Sequence, residues 1–257
     1  MKYISFTALA LICIGLFSCE KTLIEANQQW ALADPNSANV KVVNAYTSNV
    51  PAGATGVGVT RFYIYQDASK LNGTAIASLG TFPVSSTYSS MKTGSTTFNF
   101  LLDRRIGNVY GNPIKGDTAF SAKMTLEASK YYTIFMIGES PKQSLWLVED
   151  KISDPKENYY AVRFANVVVS ASNKPIDVFS RRQQKKIATN VAYKGITDFT
   201  EIPIASISDT LDVMDAGTTK VLYSLNNFNP TSRRIYTFFT YGRTGFAPER
   251  LTAYINR

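Results

Sequence analysis

The sequence predicts an all-β protein made of two tandem immunoglobulin-like β-sandwich domains behind a lipoprotein signal peptide and a short tether. Three observations carry this reading. From Val40 onward the chain runs in short stretches rich in Val, Ile, Phe, Tyr and Thr, divided by clusters of Gly, Asn, Ser and Pro. Branched and aromatic side chains suit a pleated, half-buried surface, and the dividing residues suit turns. No stretch there keeps a 3.6-residue apolar period over three turns, as an amphipathic helix would. The second half of the chain also repeats the first.

The N-terminus has its own logic. Lys2 precedes an apolar run of 14 residues, Ile4 to Phe17, then Ser18 and Cys19. A transmembrane helix needs ~20 apolar residues, so the run reads as a secretory signal. Cysteine directly after small Ser18 resembles the lipobox of bacterial lipoproteins, although Phe17 is bulkier than the usual residue there. The resemblance implies cleavage before Cys19 and lipidation of its thiol. An ordinary secretory signal is the alternative. Cys13 leaves with residues 1–18, so Cys19 is then the one cysteine, and a lone thiol in an oxidising compartment is otherwise a liability. Residues 19–38 read as the lipidated tether, polar but for Leu23, Ile24, Trp30 and Leu32.

Strands are expected at Val40–Ala45, Val59–Tyr65, Thr74–Leu79, Thr96–Leu101, Ser121–Leu126, Tyr131–Gly138 and Ser144–Val148. The repeat is then legible in order. Lys41-Val-Val-Asn44-Ala45 answers to Arg163-Phe-Ala-Asn166-Val167, and Arg61-Phe-Tyr-Ile-Tyr65 to Pro175-Ile-Asp-Val-Phe179. Thr97-Phe-Asn-Phe100 answers to Thr210-Leu-Asp-Val213, and the stretch from Tyr131 to Gly138 to that from Ile235 to Gly242. Asp103 to Thr118 is an insertion in the first copy. Charged residues and Pro155 mark 151–158 as a linker, giving domains at 39–150 and 159–257.

The lipobox and two β-repeats, with the R-F-A-N, P-I-D-V and Y-T-x-F/I strands of the second copy, resemble a family of Bacteroidota cell-envelope lipoproteins. Its members carry tandem domains of unknown function. The resemblance implies immunoglobulin-like double domains at the envelope and transfers no catalytic residue.

Composition narrows the chemistry. The chain lacks histidine, and the folded body lacks cysteine, which removes His-based triads, Cys–His pairs and zinc sites. No catalytic residue, metal ligand or cofactor is assigned, and no enzyme is expected. The net charge of +8 suits an anionic partner or serves simple solubility, the commoner reading, while nucleic acid is a poor fit for an exported chain.

Arg181, Arg182, Lys185 and Lys186 lie at an expected hairpin tip, where they form either an anion-binding site or a solvated turn. Asp209, Asp212 and Asp215 read as solvent-facing carboxylates, a calcium site or a glycosidase pair being the sharper alternatives. Trp146, Tyr159, Tyr160 and Tyr254 form either a sugar-stacking platform or part of the core and domain seam. Thr118 and Thr210 sit in Asp-Thr-Ala and Asp-Thr-Leu, which resemble the O-glycosylation acceptor of Bacteroidota. The expectation is a lipid-anchored protein, held to the outer membrane through Cys19, that binds glycan or an envelope protein. A structural subunit of a surface complex is the alternative.

Overall fold

The computed structural model describes residues 35–47, 61–84, 88–106, 109–111, 118–138, 142–169, 174–243 and 247–257. Cys19, the leader and most of the tether lie outside these residues, as does Asp117. The described residues form twenty strands and no helix.

The first half contains β1 (Ser37–Asn44), β2 (Phe62–Gln66), β3 (Ser69–Lys70), β4 (Thr81–Phe82), β5 (Ser89–Lys92), β6 (Gly94–Leu102), β7 (Arg104–Ile106), β8 (Val109–Gly111), β9 (Thr118–Leu126), β10 (Tyr131–Ile137) and β11 (Ser144–Glu149). The second contains β12 (Tyr159–Asn166), β13 (Ile176–Ser180), β14 (Lys185–Val191), β15 (Gly195–Ile196), β16 (Thr200–Pro203), β17 (Asp209–Asp215), β18 (Val221–Phe228), β19 (Ile235–Arg243) and β20 (Ala247–Ile255).

Each half is a sandwich of two sheets. In the first, β11-β10-β1, with β4 and β5 on the far side of β1, faces β3-β2-β6-β9. In the second, β20-β19-β12, with β15 and β16 on the far side of β12, faces β14-β13-β17-β18. The first strand of each copy is central and parallel to the penultimate one, β1 to β10 and β12 to β19. Even the register repeats: Lys41 pairs with Thr133, and Arg163 with Thr237. The insertion in the first copy holds the β7–β8 hairpin, which has no counterpart among the described residues of the second.

Alternation along the strands explains the layers. Val40, Val42, Ile134 and Met136 point into the first sandwich with Phe62, Phe98 and Phe100. Val162, Phe164 and Phe238 do the same in the second, with Val178, Leu211 and Val213. Residues of opposite parity meet in a third core between the two sandwiches. Val43, Ala45, Phe135, Ile137 and Val148 there pack on Ala165, Val167, Phe239, Tyr241 and Tyr254. The four sheets therefore stack in line, and the two inner sheets are covered on both faces. That is why β1 is buried along its whole length.

Two local expectations fail for physical reasons. Residues 74–79 make one bridge, Ile76 to Phe62, in place of a strand. The Asn72 side chain takes over the ladder there, accepting from Ile64 N and donating to the carbonyls of Phe62 and Thr74. Conversely, β5 escapes a pattern reading because Ser89-Ser-Met-Lys92 buries Met91 alone.

Candidate functional site

A charged residue interrupts the apolar run at the same place in both copies, Lys41 in β1 and Arg163 in β12. Both side chains turn into the seam between the sandwiches, and both residues are buried. Arg163 donates from Nε to Thr237 Oγ1 (2.9 Å) and from Nη2 to Asp150 Oδ1 (2.5 Å) and Tyr254 OH (3.4 Å). Asp150 Oδ2 accepts from Tyr88 OH and Thr133 Oγ1, both at 2.7 Å. Asn256 donates to Tyr88 OH. The guanidinium of Arg163 lies 4.4 Å from the Phe199 ring centroid, and Lys41 Nζ sits near the rings of Tyr88 and Tyr254. Burial pulls the Lys41 pKa down to about 8, against the opposing charge of Asp150.

Beside this network the seam opens into a groove of about 480 Å³. Its walls come from the end of β11 (Val148, Glu149), the linker (Lys151, Ser153), Arg163, and the β15–β16 connection (Ile196, Thr197, Asp198, Phe199). Glu149 already meets Lys130 at 3.4 Å, whereas Lys151 and Asp198 are exposed. Both sandwiches contribute walls, so the groove exists only in the assembled pair.

The basic hairpin forms where expected, with residues 181–184 as the turn between β13 and β14. Its cations are largely engaged. Arg181 makes a bidentate pair with Asp212 (2.7 and 2.9 Å), Lys186 pairs with Asp177 (2.7 Å), and Arg182 donates to Tyr160 OH and Ile207 O. Lys185 is exposed at the rim of a cleft of about 200 Å³ shared with Thr200, Glu201 and Pro203.

Two of the three acids are not solvent-facing, which corrects the expectation for them; Asp215 is half-buried and meets the exposed Lys220 at 3.5 Å. Asp209 and Asp212 are buried, because each meets local donors: Ser180 Oγ and Arg182 N for Asp209, Arg181 and Ser224 for Asp212. The Arg181 hydrogen bonds hold the Asp212 carboxyl below the usual range, against burial. Among the described residues no group of three or more Asp, Glu or Cys side chains could hold a metal.

Of the four aromatics, Tyr160 lies in the second core, Tyr254 in the seam, and Trp146 packs on Phe135 (centroids 5.4 Å apart). These three fill the core and the seam, while Tyr159 is half-buried at the start of β12. Thr118 is exposed at the start of β9, and Thr210 is half-buried in β17, where its carbonyl accepts from Arg181 N.

Pattern reading passed over Arg163, Asp150, Lys151, Asp198 and Phe199. The one available signal was the cation repeated at matching positions of two apolar strands.

Comparison with known families decides one point. The family model of a domain of unknown function, DUF4397, matches residues 38–173, more than half of the chain. The chain belongs to the DUF4397 family. The DUF4397 match runs from β1 through β12, so it takes in the first sandwich, the linker and the strand that carries Arg163. A search of curated proteins finds no match. Among solved structures, the chain is similar to the Bacillus anthracis TIE protein (8% identity, TM-score 0.21), covering 81% of this chain and 34% of that one. It thus spans about a third of that protein's length. It is also similar to a family 26 carbohydrate-binding module of Eubacterium rectale Amy13K, solved with maltoheptaose (12% identity, TM-score 0.22, covering 84% and 96%). A Bacteroides fragilis protein described as a candidate cell adhesion protein aligns at 9% identity and TM-score 0.20, covering 86% and 98%. Scores this low carry no functional argument.

Proposed function

We propose that this DUF4397 protein is a non-enzymatic lipoprotein of the cell envelope, held to the outer membrane through Cys19, that binds glycan or a partner protein. The observation that supports binding is the groove at the seam. Ligand sites favour domain interfaces and commonly span about 300–1,000 Å³, and this groove has about 480 Å³. Its walls combine donors, acceptors and an aromatic edge on a β framework. The test is an array of neutral and acidic glycans read with the detergent-extracted chain, beside Ser153→Trp, which fills the groove from the linker. Binding by the wild type and its loss in the variant are expected. Equal binding by both would remove the groove from the reading.

Anchoring has a separate test. Metabolic palmitate labelling should mark the wild type and miss Cys19→Ala. A wild-type chain that stays unlabelled and freely soluble would defeat the lipoprotein reading.

One observation favours a structural or assembly subunit as the second reading. Among the described residues β9 and β18, equivalent strands of nine and eight residues, each lie at a sheet edge and pair on one side only. Open edges accept further strands. A high-mass complex in detergent extracts, with no glycan affinity, would favour that reading.

A further inference from the structure

Three donors of the Arg163 guanidinium edge are used, but Nη1 has no hydrogen-bond partner among the described residues. The side chain is nonetheless 3% exposed, and it lines the groove. A buried, planar donor pair held by Thr237, Asp150 and Phe199 is pre-organised to receive a carboxylate, since none of its rotamer freedom remains to be lost. Lys151 on the linker adds a second cation to the same groove. The network behind it has two cations, Lys41 and Arg163, against one buried carboxylate, Asp150. Along the groove itself Arg163 and Lys151 stand beside the acids Glu149 and Asp198, and Glu149 is engaged by Lys130.

The groove is not simply cationic. Asp198 lies on the same wall, with the hydroxyls of Ser153 and Thr197. An acceptor there repels a ligand that is anionic all over, such as a phosphate or sulfate cluster. It welcomes one that brings hydroxyl donors with a single carboxylate. We infer that the groove takes a carboxylated sugar of the uronic-acid class, with its carboxylate on Arg163 and Lys151 and its hydroxyls on Asp198, Ser153 and Thr197. This rests on the glycan-binding reading above and narrows it.

The experiment titrates the full-length chain in detergent with uronate oligosaccharides and with the same sugars after reduction of the carboxyl to an alcohol. The acid form should bind more tightly by roughly ten- to a hundredfold, the worth of one charge-assisted hydrogen bond. Lys151→Glu, at an exposed linker position, should weaken the acid form by a similar factor and leave the melting temperature unchanged. Equal binding of both sugar forms would overturn the carboxylate assignment and leave glycan binding standing. Acid-selective binding untouched by Lys151→Glu would overturn the placement in this groove. Binding of neither form would overturn the inference and the glycan reading together.

Discussion

Arg163 of the second sandwich and Asp150 of the first form an ion pair across the seam, with side chains 3% and 0% exposed. Asp150 also accepts from Tyr88 and Thr133, so one carboxylate ties together three elements of the first sandwich and one of the second. Removing it leaves Arg163 and Lys41 buried without their counter-charge. Asp150→Ala should cost about 3–5 kcal/mol, the usual penalty for breaking a buried pair from one side. Urea denaturation measures this, and a loss below about 1 kcal/mol would mean that water reaches the pair.

Lys41 gives the seam a pH signature. Its folded pKa of about 8 lies below the unfolded value of 10.5. Below pH 8 both states hold the proton and the folded state carries the cost of burying it. Between about 8 and 10.5 the folded chain releases the proton while the unfolded chain keeps it, so stability rises with pH. The gap corresponds to on the order of 3 kcal/mol at most. Tyr88 and Tyr254 face the same space with phenols pushed upward by burial, and they oppose the rise near pH 10. Chemical denaturation of the wild type at pH 7 and 9 should show the increase, and Lys41→Met should flatten it.

The asparagines that end the repeated strands act as ties between facing sheets. Asn44 donates to Ile76 O, and Asn166 donates to Val191 O while accepting from Thr240. Replacing Asn166 by Ala removes two buried side-chain hydrogen bonds, one to Val191 O and one from the Thr240 hydroxyl, which still accepts from Val167 N and Val168 N. A loss of about 1–3 kcal/mol is expected in equilibrium unfolding. Asn44→Ala should also destabilise, since it removes the bonds to Ile76 O and from Tyr46 N.

The second sandwich has a core of its own, so a chain of residues 157–257 should fold and give a β-type circular dichroism spectrum. It also exposes the seam face of Ala165, Val167, Phe239, Tyr241 and Tyr254. Its melting temperature should therefore fall below that of the full chain by more than about 5 °C, and it should self-associate in size exclusion. An unfolded fragment would make the three cores one cooperative unit.

The Asp in Pro175-Ile-Asp-Val shows how a motif can be visible before its purpose is. Asp177 accepts from Lys186 Nζ and from the backbone amides of Asn190 and Gly217, closing two turns around one carboxylate. Burial disfavours its charge, yet these donors outweigh that and hold it below the usual carboxylate range. The motif marked the strand, whereas the partners 9, 13 and 40 residues away came from the fold.

By itself the sequence determined the all-β class, the duplication and the positions that match between the copies. Each of these is written in local alternation, and the pairing Lys41–Thr133 recurs as Arg163–Thr237 because equal patterns adopt equal register. Only the tertiary structure decided which face of β1 and β12 would be covered by the other sandwich. Alternation shows that a strand has two faces, but a strand buried on both reads as continuously apolar, and its partner on the second face lies in another domain. Glu149, Lys151, Arg163 and Asp198 line one groove, and Arg163 meets Asp150 beside it, for that reason: the groove and the ion pair lie between the sandwiches, and no spacing along the chain encodes a distance between the two.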